Sequence, residues 1–314
     1  MDKILYGGMS RGELNIFAGG SGSGKSLVMM NIALSWLQQG LSGVYVSLEL
    51  SEELCALRTD AMLTSTSTKD IRKDIETTEL KVKMVGKKSG KYRIKALPAQ
   101  SNVNDIRSFI KEYQIQTNNK VDFVMVDYLD LVMPVSVKVN PNDQFIKDKY
   151  VAEELRNLSQ ELGVLLVTAS QLNRSAVEEI EFDHSHIAGG ISKINTADNV
   201  FGIFTSRAMK ERGRYQIQCM KSRSSTGVGQ KIDLEYNIET MRITDPGEEG
   251  QESNGGYKPA TSILNQIKTT TTVNALPQAR EGFNLERDTA PPPGSTVEST
   301  KLKQMLAGLK AKSE

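Results

Sequence analysis

The apolar residues of this chain fall into short unbroken runs separated by glycine and polar turn residues, with stretches of helical spacing between them. Leu14–Ala18, Gly43–Glu49, Val121–Asp127 and Gly163–Gln171 are runs of this kind. They lack the polar alternation of a half-exposed sheet, so they predict strands buried on both faces, two of them ending in a carboxylate and one in an amide. Helical periodicity fills the gaps. Residues from Leu27 to about Gln39 predict a helix closed by Gly40, and Ser51 before Glu52 and Glu53 reads as an N-cap ahead of Leu54, Leu57 and Met62. Asn102–Tyr113 places Val103, Ile106 and Ile110 on one face, and Tyr150–Leu162 does the same with Val151, Leu155, Leu158 and Leu162. Residues 65–90 predict a helical excursion with a mobile connection at Gly86–Gly90, and Tyr92–Ala96 a strand. Leu131–Asp148, with Asn140-Pro141-Asn142, reads as an irregular polar loop. Asn199–Phe204, Tyr215–Met220, Lys231–Tyr236 and Met241–Ile243 follow as strands in series. The expected class is α/β, with a mostly parallel sheet flanked by helices and an antiparallel extension.

From Asp245 the pattern changes. Six of the nine prolines lie between there and the end, and large apolar groups become scarce. This predicts one globular domain over 1–244 and a disordered linker over 245–298. The segment 299–314 differs, because Leu302, Met305, Leu306 and Leu309 fall at i, i+3, i+4 and i+7. It is too short to be stable alone and is expected to fold on a partner.

Charge is almost balanced, 39 Lys+Arg against 38 Asp+Glu, so any nucleic-acid surface must be local. Cys55 and Cys219 sit in apolar segments without metal-ligand spacing and read as reduced core residues. His184 and His186 read as loop residues rather than metal ligands. No apolar run approaches the ~18 residues of a membrane span, and a cytoplasmic protein without membrane contact is expected.

The sharpest chemical signal is Gly19-Gly20-Ser21-Gly22-Ser23-Gly24-Lys25-Ser26, which fits the phosphate-binding loop G-x-x-x-x-G-K-[ST] between a strand and a helix. Glycines let the backbone close around phosphate with successive N–H groups turned inward, and the helix N-terminus adds positive potential. Lys25 is expected on the outer phosphates and Ser26 on Mg²⁺, with ATP or another nucleoside triphosphate as the cofactor. Asp127, at the end of its apolar run, is the candidate Mg²⁺-organising acid, and Glu49 is a second carboxylate at a strand tip beside the loop.

Taken together, Gly12-Glu13-Leu14, Ser47-Leu48-Glu49-Leu50-Ser51, Val126-Asp127-Tyr128-Leu129-Asp130-Leu131, Ala169-Ser170-Gln171-Leu172-Asn173-Arg174 and Lys221-Ser222-Arg223 resemble the RecA-like ATPase domain of DnaB-type replicative helicases. The pattern is most similar to the helicases of T-even-type phages, and it covers about residues 5–244. The resemblance implies a hexameric ring that hydrolyses nucleoside triphosphate to move 5′ to 3′ along single-stranded DNA in the cytoplasm of a phage host, with a primase or helicase loader as partner. By position it makes Glu49 the residue that polarises the attacking water, Asp127 the metal-organising acid and Gln171 a polar sensor. Lys221 and Arg223 become a pair reaching the neighbouring subunit's triphosphate. Taken alone, Gln171 is equally a satisfied strand-end amide, and Lys221 with Arg223 a solvated strand end. The segment 186–193 occupies the DNA-loop position, so Gly189, Gly190, Ser192 and Lys193 are expected on DNA, joined by Lys138 and Lys147. The family carries an N-terminal helical domain and a linker helix, whereas 18 residues precede the P-loop here. A fragment, the ATPase half of a split helicase working with a separate N-terminal chain, or a stand-alone ring motor is expected. Competing readings are a RecA-like ATPase of another role, such as a recombinase, and a nucleotide-dependent clamp, which would not need both Glu49 and Asp127.

Overall fold

The computed structural model describes residues 1–139, 143–171, 191–204 and 206–247. The expected linker from residue 248 onward and the segment 299–314 lie outside them. In chain order the elements are β1 (Leu14–Gly19), α1 (Lys25–Gln38), β2 (Gly43–Ser47), α2 (Glu52–Thr64), α3 (Thr68–Ile71), α4 (Ile75–Gly86), β3 (Tyr92–Ala96), α5 (Val103–Thr117), β4 (Phe123–Asp127), a 3-10 turn (Leu129–Leu131), α6 (Gln144–Leu162), β5 (Leu165–Gln171), α7 (Ile191–Thr196), β6 (Asn199–Phe204), α8 (Arg207–Glu211), β7 (Arg214–Ser222), β8 (Lys231–Tyr236) and β9 (Ile243–Thr244).

The nine strands form one sheet in the order β3-β2-β4-β5-β1-β6-β7-β8-β9. Pairing is parallel from β3 through β6 and antiparallel from there to β9. Each central strand sends alternate residues to opposite faces, and both faces are covered. Ile16, Val44, Val46, Val124, Val126 and Leu166 pack with Ile106 and Ile110 of α5 and Val151, Leu155 and Leu158 of α6. On the other face, Phe17, Tyr45, Phe123, Met125, Val167 and Phe201 meet Met29, Met30, Ala33 and Leu34 of α1. This two-sided burial is why the strands read as continuous apolar runs.

Local signals set the helix ends. Ser51 caps α2 by accepting from the Leu54 N–H, and Asn102 with Asp105 forms a capping box on α5. Gly163 ends α6 in the left-handed conformation at φ 62°. Three expectations need correcting. Helix α6 begins at Gln144, within the stretch expected to be a loop, because the Asp143 side chain caps it by accepting from the Ile146 N–H. Its first buried residues, Lys147 and Asp148, are charged and hid the apolar stripe. Helices α7 and α8 were not anticipated, and the last strand, Ile243–Thr244, starts two residues and ends one residue later than expected.

Phe123 shows how tightly the first half of the sheet is filled: it is fully buried, lies 5.3 Å from Trp36 and 6.2 Å from Tyr92 between ring centroids, and covers the Cα of Gly43. Phe123→Ala should lower unfolding free energy by about 3–5 kcal/mol, read by denaturant titration. A loss below about 1 kcal/mol would mean that the strand β4 core is not packed as described.

Candidate nucleotide site

The P-loop leaves the end of β1, a strand with parallel neighbours on both sides. Its residues turn back into α1 through Gly22 at φ 70° and Gly24 at φ 97°, both left-handed positions that a side chain resists. A Cβ on Gly24 would also run into the hydroxyl of Tyr215. That hydroxyl donates to the Ser23 carbonyl at 2.7 Å, so β7 braces the loop from the side. Tyr215 is a site residue that sequence reading missed, since an aromatic in a buried strand carries no signal beyond packing.

Lys25 donates to the carbonyls of Gly19 at 3.1 Å and Gly20 at 3.0 Å and lies 5.9 Å from the centre of the Tyr128 ring. Burial holds its pKa below the usual lysine value, opposed by the charges of Asp130, Glu49 and Asp127.

Asp127 ends β4 and is 1% exposed. Its Oδ2 accepts from the Tyr45 hydroxyl at 2.7 Å, while Oδ1 is buried with no hydrogen-bond partner. Burial pushes its pKa up, and Tyr45, Ser26 and Lys25 pull it back, in that order. A buried carboxylate oxygen without a donor, beside a serine hydroxyl at the start of α1, is the hard-oxygen donor set that suits Mg²⁺ completed by phosphate and water. The residues fit that ion.

Register aligns the remaining members. Ser47 pairs with Asp127 across β2 and β4, so exposed Glu49 lies just beyond the end of β2, next to that carboxylate's strand. Gln171 pairs with Gly19, which puts it level with the start of the P-loop, and its N–H donates to Asp130 Oδ2 at 3.1 Å. Lys25, Ser26, Glu49, Asp127 and Gln171 thus gather at the carboxyl ends of four adjacent strands, where an open α/β sheet binds ligands.

Lys221 and Arg223 are not part of this cluster. Asn199 pairs with both Asn15 and Ser222, so the end of β7 is level with the beginning of β1. The five steps from Leu14 to Gly19 amount to about 17 Å. Lys221 Nζ donates to the carbonyls of Ile194 at 2.6 Å, Asn195 at 2.9 Å and Ala197 at 2.7 Å. Arg223 donates to the Asn195 carbonyl at 2.6 Å and lies 3.7 Å from Asp198 Oδ1, with its side chain 48% exposed. An open groove of about 660 Å³ runs beside it, lined also by Lys149 and by Arg156, which is itself paired with Asp198.

Two residues expected on DNA are turned inward instead. Lys193 is fully buried and bonds Asp130 Oδ1 at 2.5 Å and Asp148 Oδ2 at 2.7 Å. Lys147, also buried, lies 2.8 Å from Asp148 Oδ1 and donates to the Asp130 carbonyl at 2.7 Å. Both ammonium groups are consumed by these contacts. Lys138 is exposed. Gly189 and Gly190, the Ser192 side chain, and His184 and His186 lie outside the described residues. Cys55 and Cys219 are free and buried, as expected. Among the described residues no helix is long and apolar enough to cross a membrane, and no group of three His, Cys, Asp or Glu could hold a metal.

A family model described as the DnaB-like helicase C terminal domain matches residues 1–245. The chain is similar to a DnaB-like replicative helicase of Enterobacteria phage T4, 31% identical over 229 residues that cover 71% of this chain and 48% of that protein. A replicative DNA helicase DnaB of Helicobacter pylori (strain J99) is 28% identical over 82% of this chain and 52% of its own length. The chain therefore spans about half the length of these relatives. A solved structure of a DnaB-like replicative helicase, described together with its interactions with primase, shares the fold at a TM-score of 0.66 and 19% identity, covering 78% of this chain and 59% of that one. With the phosphate loop, both carboxylates and the strand order in place, the chain belongs to the DnaB-like helicase C-terminal domain family.

Proposed function

We propose that this chain is the motor domain of a DnaB-type replicative helicase, hydrolysing nucleoside triphosphate between subunits of a hexameric ring and moving 5′ to 3′ on single-stranded DNA to unwind duplex. The observation that carries this reading is the separation of phosphate-handling groups at opposite ends of β1. Arg223 lies about 17 Å along the sheet from its own P-loop, beyond the reach of its side chain, so a complete site needs a second subunit. A closed ring of head-to-tail contacts supplies one at every interface.

In that site Lys25 leaves the carbonyls of Gly19 and Gly20 to hold the outer phosphates, and the loop N–H groups cradle them. Ser26 and Asp127 hold Mg²⁺, which when bound neutralises charge developing on the phosphoryl oxygens. Tyr45 fixes the rotamer of Asp127 by its hydrogen bond. Glu49 attracts the proton of the attacking water, and Gln171 senses the outer phosphate. The neighbour's Arg223 meets the transition-state charge with a planar, permanently charged fork. Single-stranded DNA, a primase or loader, and a separate N-terminal chain are the proposed partners, in the cytoplasm of a phage host. The burial of Lys147 and Lys193 favours a second reading, a RecA-like ATPase of another role. Hydrolysis unaffected by single-stranded DNA, with no fork unwinding even beside an N-terminal half, would establish that alternative.

Glu49→Gln should keep nucleotide binding and lose about 10²–10⁴-fold in hydrolysis, since an amide does not attract the water's proton. Near-normal turnover would remove Glu49 from the mechanism. Lys25→Ala should weaken binding itself, and Arg223→Ala should bind normally but lose on the order of 10³-fold in turnover. Mixing these last two inactive proteins should restore part of the hydrolysis, because some interfaces then pair an intact P-loop with an intact Arg223. Demonstrated subunit exchange with no recovery at any ratio would show that Arg223 does not act across an interface.

Burial and the neighbouring Arg223 guanidinium push the Lys221 pKa down to about 8. Its charge is therefore lost as pH rises through about 8, and hydrolysis should show an alkaline limb there that Lys221→Arg removes. The contribution to stability runs the other way. Between about 8 and the ordinary lysine value of 10.5 the unfolded chain binds more protons, so this group makes folding more favourable as pH rises. An unchanged alkaline limb in Lys221→Arg would assign it to another group.

A further inference from the structure

Helix α7 touches both halves of the divided site. On one side, the fully buried Lys193 is held by Asp130 and Asp148, and Asp130 is also bonded to the N–H of Gln171 at the nucleotide end of β5. On the other, the carbonyls at the C-terminal end of α7 take up Lys221, and Asn195 takes up the Arg223 guanidinium as well. The Arg223 N–H donates to the Asp198 carbonyl at 3.0 Å, and the Ala197 N–H to the Lys193 carbonyl at 3.0 Å, so the turn between α7 and β6 is tied into the same chain of contacts.

The geometry points to α7 as a strut whose Lys193 anchor sets the position of Arg223. Lys193 is a positioning residue: it touches no nucleotide and acts through the carbonyls that hold the guanidinium. The inference rests on the proposed action of Arg223 at a neighbour's triphosphate. The charges argue for a fixed anchor. Lys147, Lys193, Asp130 and Asp148 form a buried set with two positive and two negative members, in contact at 2.5–2.8 Å. Burying such a set brings little net stability over apolar packing, and its best-attested use is to define one arrangement of the elements that contribute to it. Here those elements are the turn after β4, α6 and α7. The short α7 has no other charged anchor of this kind among the described residues, and moving it carries the carbonyl partners of Arg223 with it.

The test is steady-state hydrolysis by the full chain, with nucleotide affinity measured separately by a fluorescent ATP analogue. Misplacing a transition-state group by about 1 Å costs on the order of 10²-fold. Lys193→Gln should therefore lower kcat by about 10–100-fold with nucleotide affinity unchanged. Made in an Arg223→Ala background, the same change should lower kcat by less than about twofold, since the group it positions is gone. Where thermal melting shows that Lys193→Gln is unfolded, Lys193→Gln with Asp148→Asn replaces it, because that pair removes one charge of each sign and leaves both the Lys147 contact with the Asp130 carbonyl and the Asp130 contact with the Gln171 N–H. A folded variant with normal kcat overturns the inference, as does a loss that multiplies fully with that of Arg223→Ala. If Arg223→Ala itself hydrolyses normally, the reading of Arg223 fails first and the strut with it.

Discussion

The length of β1 is the constraint on which the rest depends. Six residues run from the strand's start, level with the end of β7, to the glycine that opens the phosphate loop. Parallel neighbours on both sides keep that strand extended, and two packed faces keep it buried, so its ends cannot approach each other. The P-loop, Ser26, Glu49 and Asp127 are at one end. The Arg223 guanidinium is at the other, so under the proposed function the division of the site between subunits already lies in the sheet of one.

The two ends are built from different materials. At the loop end, backbone N–H groups, glycines and the brace from Tyr215 to Ser23 shape a cradle with little side-chain mass. At the other end, Arg156, Arg223 and Lys221 gather on Asp198 and on the carbonyls at the C-terminal end of α7. Asp198 also accepts from the Leu14 N–H at 2.9 Å, which ties the cationic cluster to the start of β1. A helix C-terminus carries partial negative charge, and cations placed there are held without a full carboxylate for each. That leaves Arg223 ordered yet half exposed, the condition a group needs if it is to exchange its present contacts for a triphosphate.

Most of the fold was legible in the sequence, because two-sided burial forces unbroken apolar runs and parallel strands need helices between them. The P-loop was legible from its glycine spacing, and the places of Glu49, Asp127 and Gln171 at strand tips from the polar residue that ends each apolar run, while the roles expected of Glu49 and Gln171 came from the family resemblance. Legibility failed where burial involved charge. Lys147, Asp148 and Lys193 have the composition of a solvated loop, and nothing in their spacing reveals that each partner neutralises the next. The DNA contact expected of Lys147 rested on its charge and that of Lys193 on its place in the segment 186–193, whereas both ammonium groups are buried in ion pairs. Tyr45 and Tyr215 were hidden in the opposite sense, as packing residues whose single hydroxyl contributes to the site.

Asp127 brings these threads to one atom pair. A carboxylate this deep is pushed toward its neutral form, yet only the ionised form can hold a divalent cation. The Tyr45 hydroxyl offsets part of that penalty through Oδ2, and it leaves Oδ1 as the oxygen without a donor. A second donor there would stabilise the isolated fold further, and it would also compete with the metal for the same lone pairs. Tyr45 reaches this position because β2 lies directly beside β4 and sends its tyrosine to the face opposite Val44 and Val46. Strand order thus tunes the acid beside the loop, and strand length sets Arg223 apart from it.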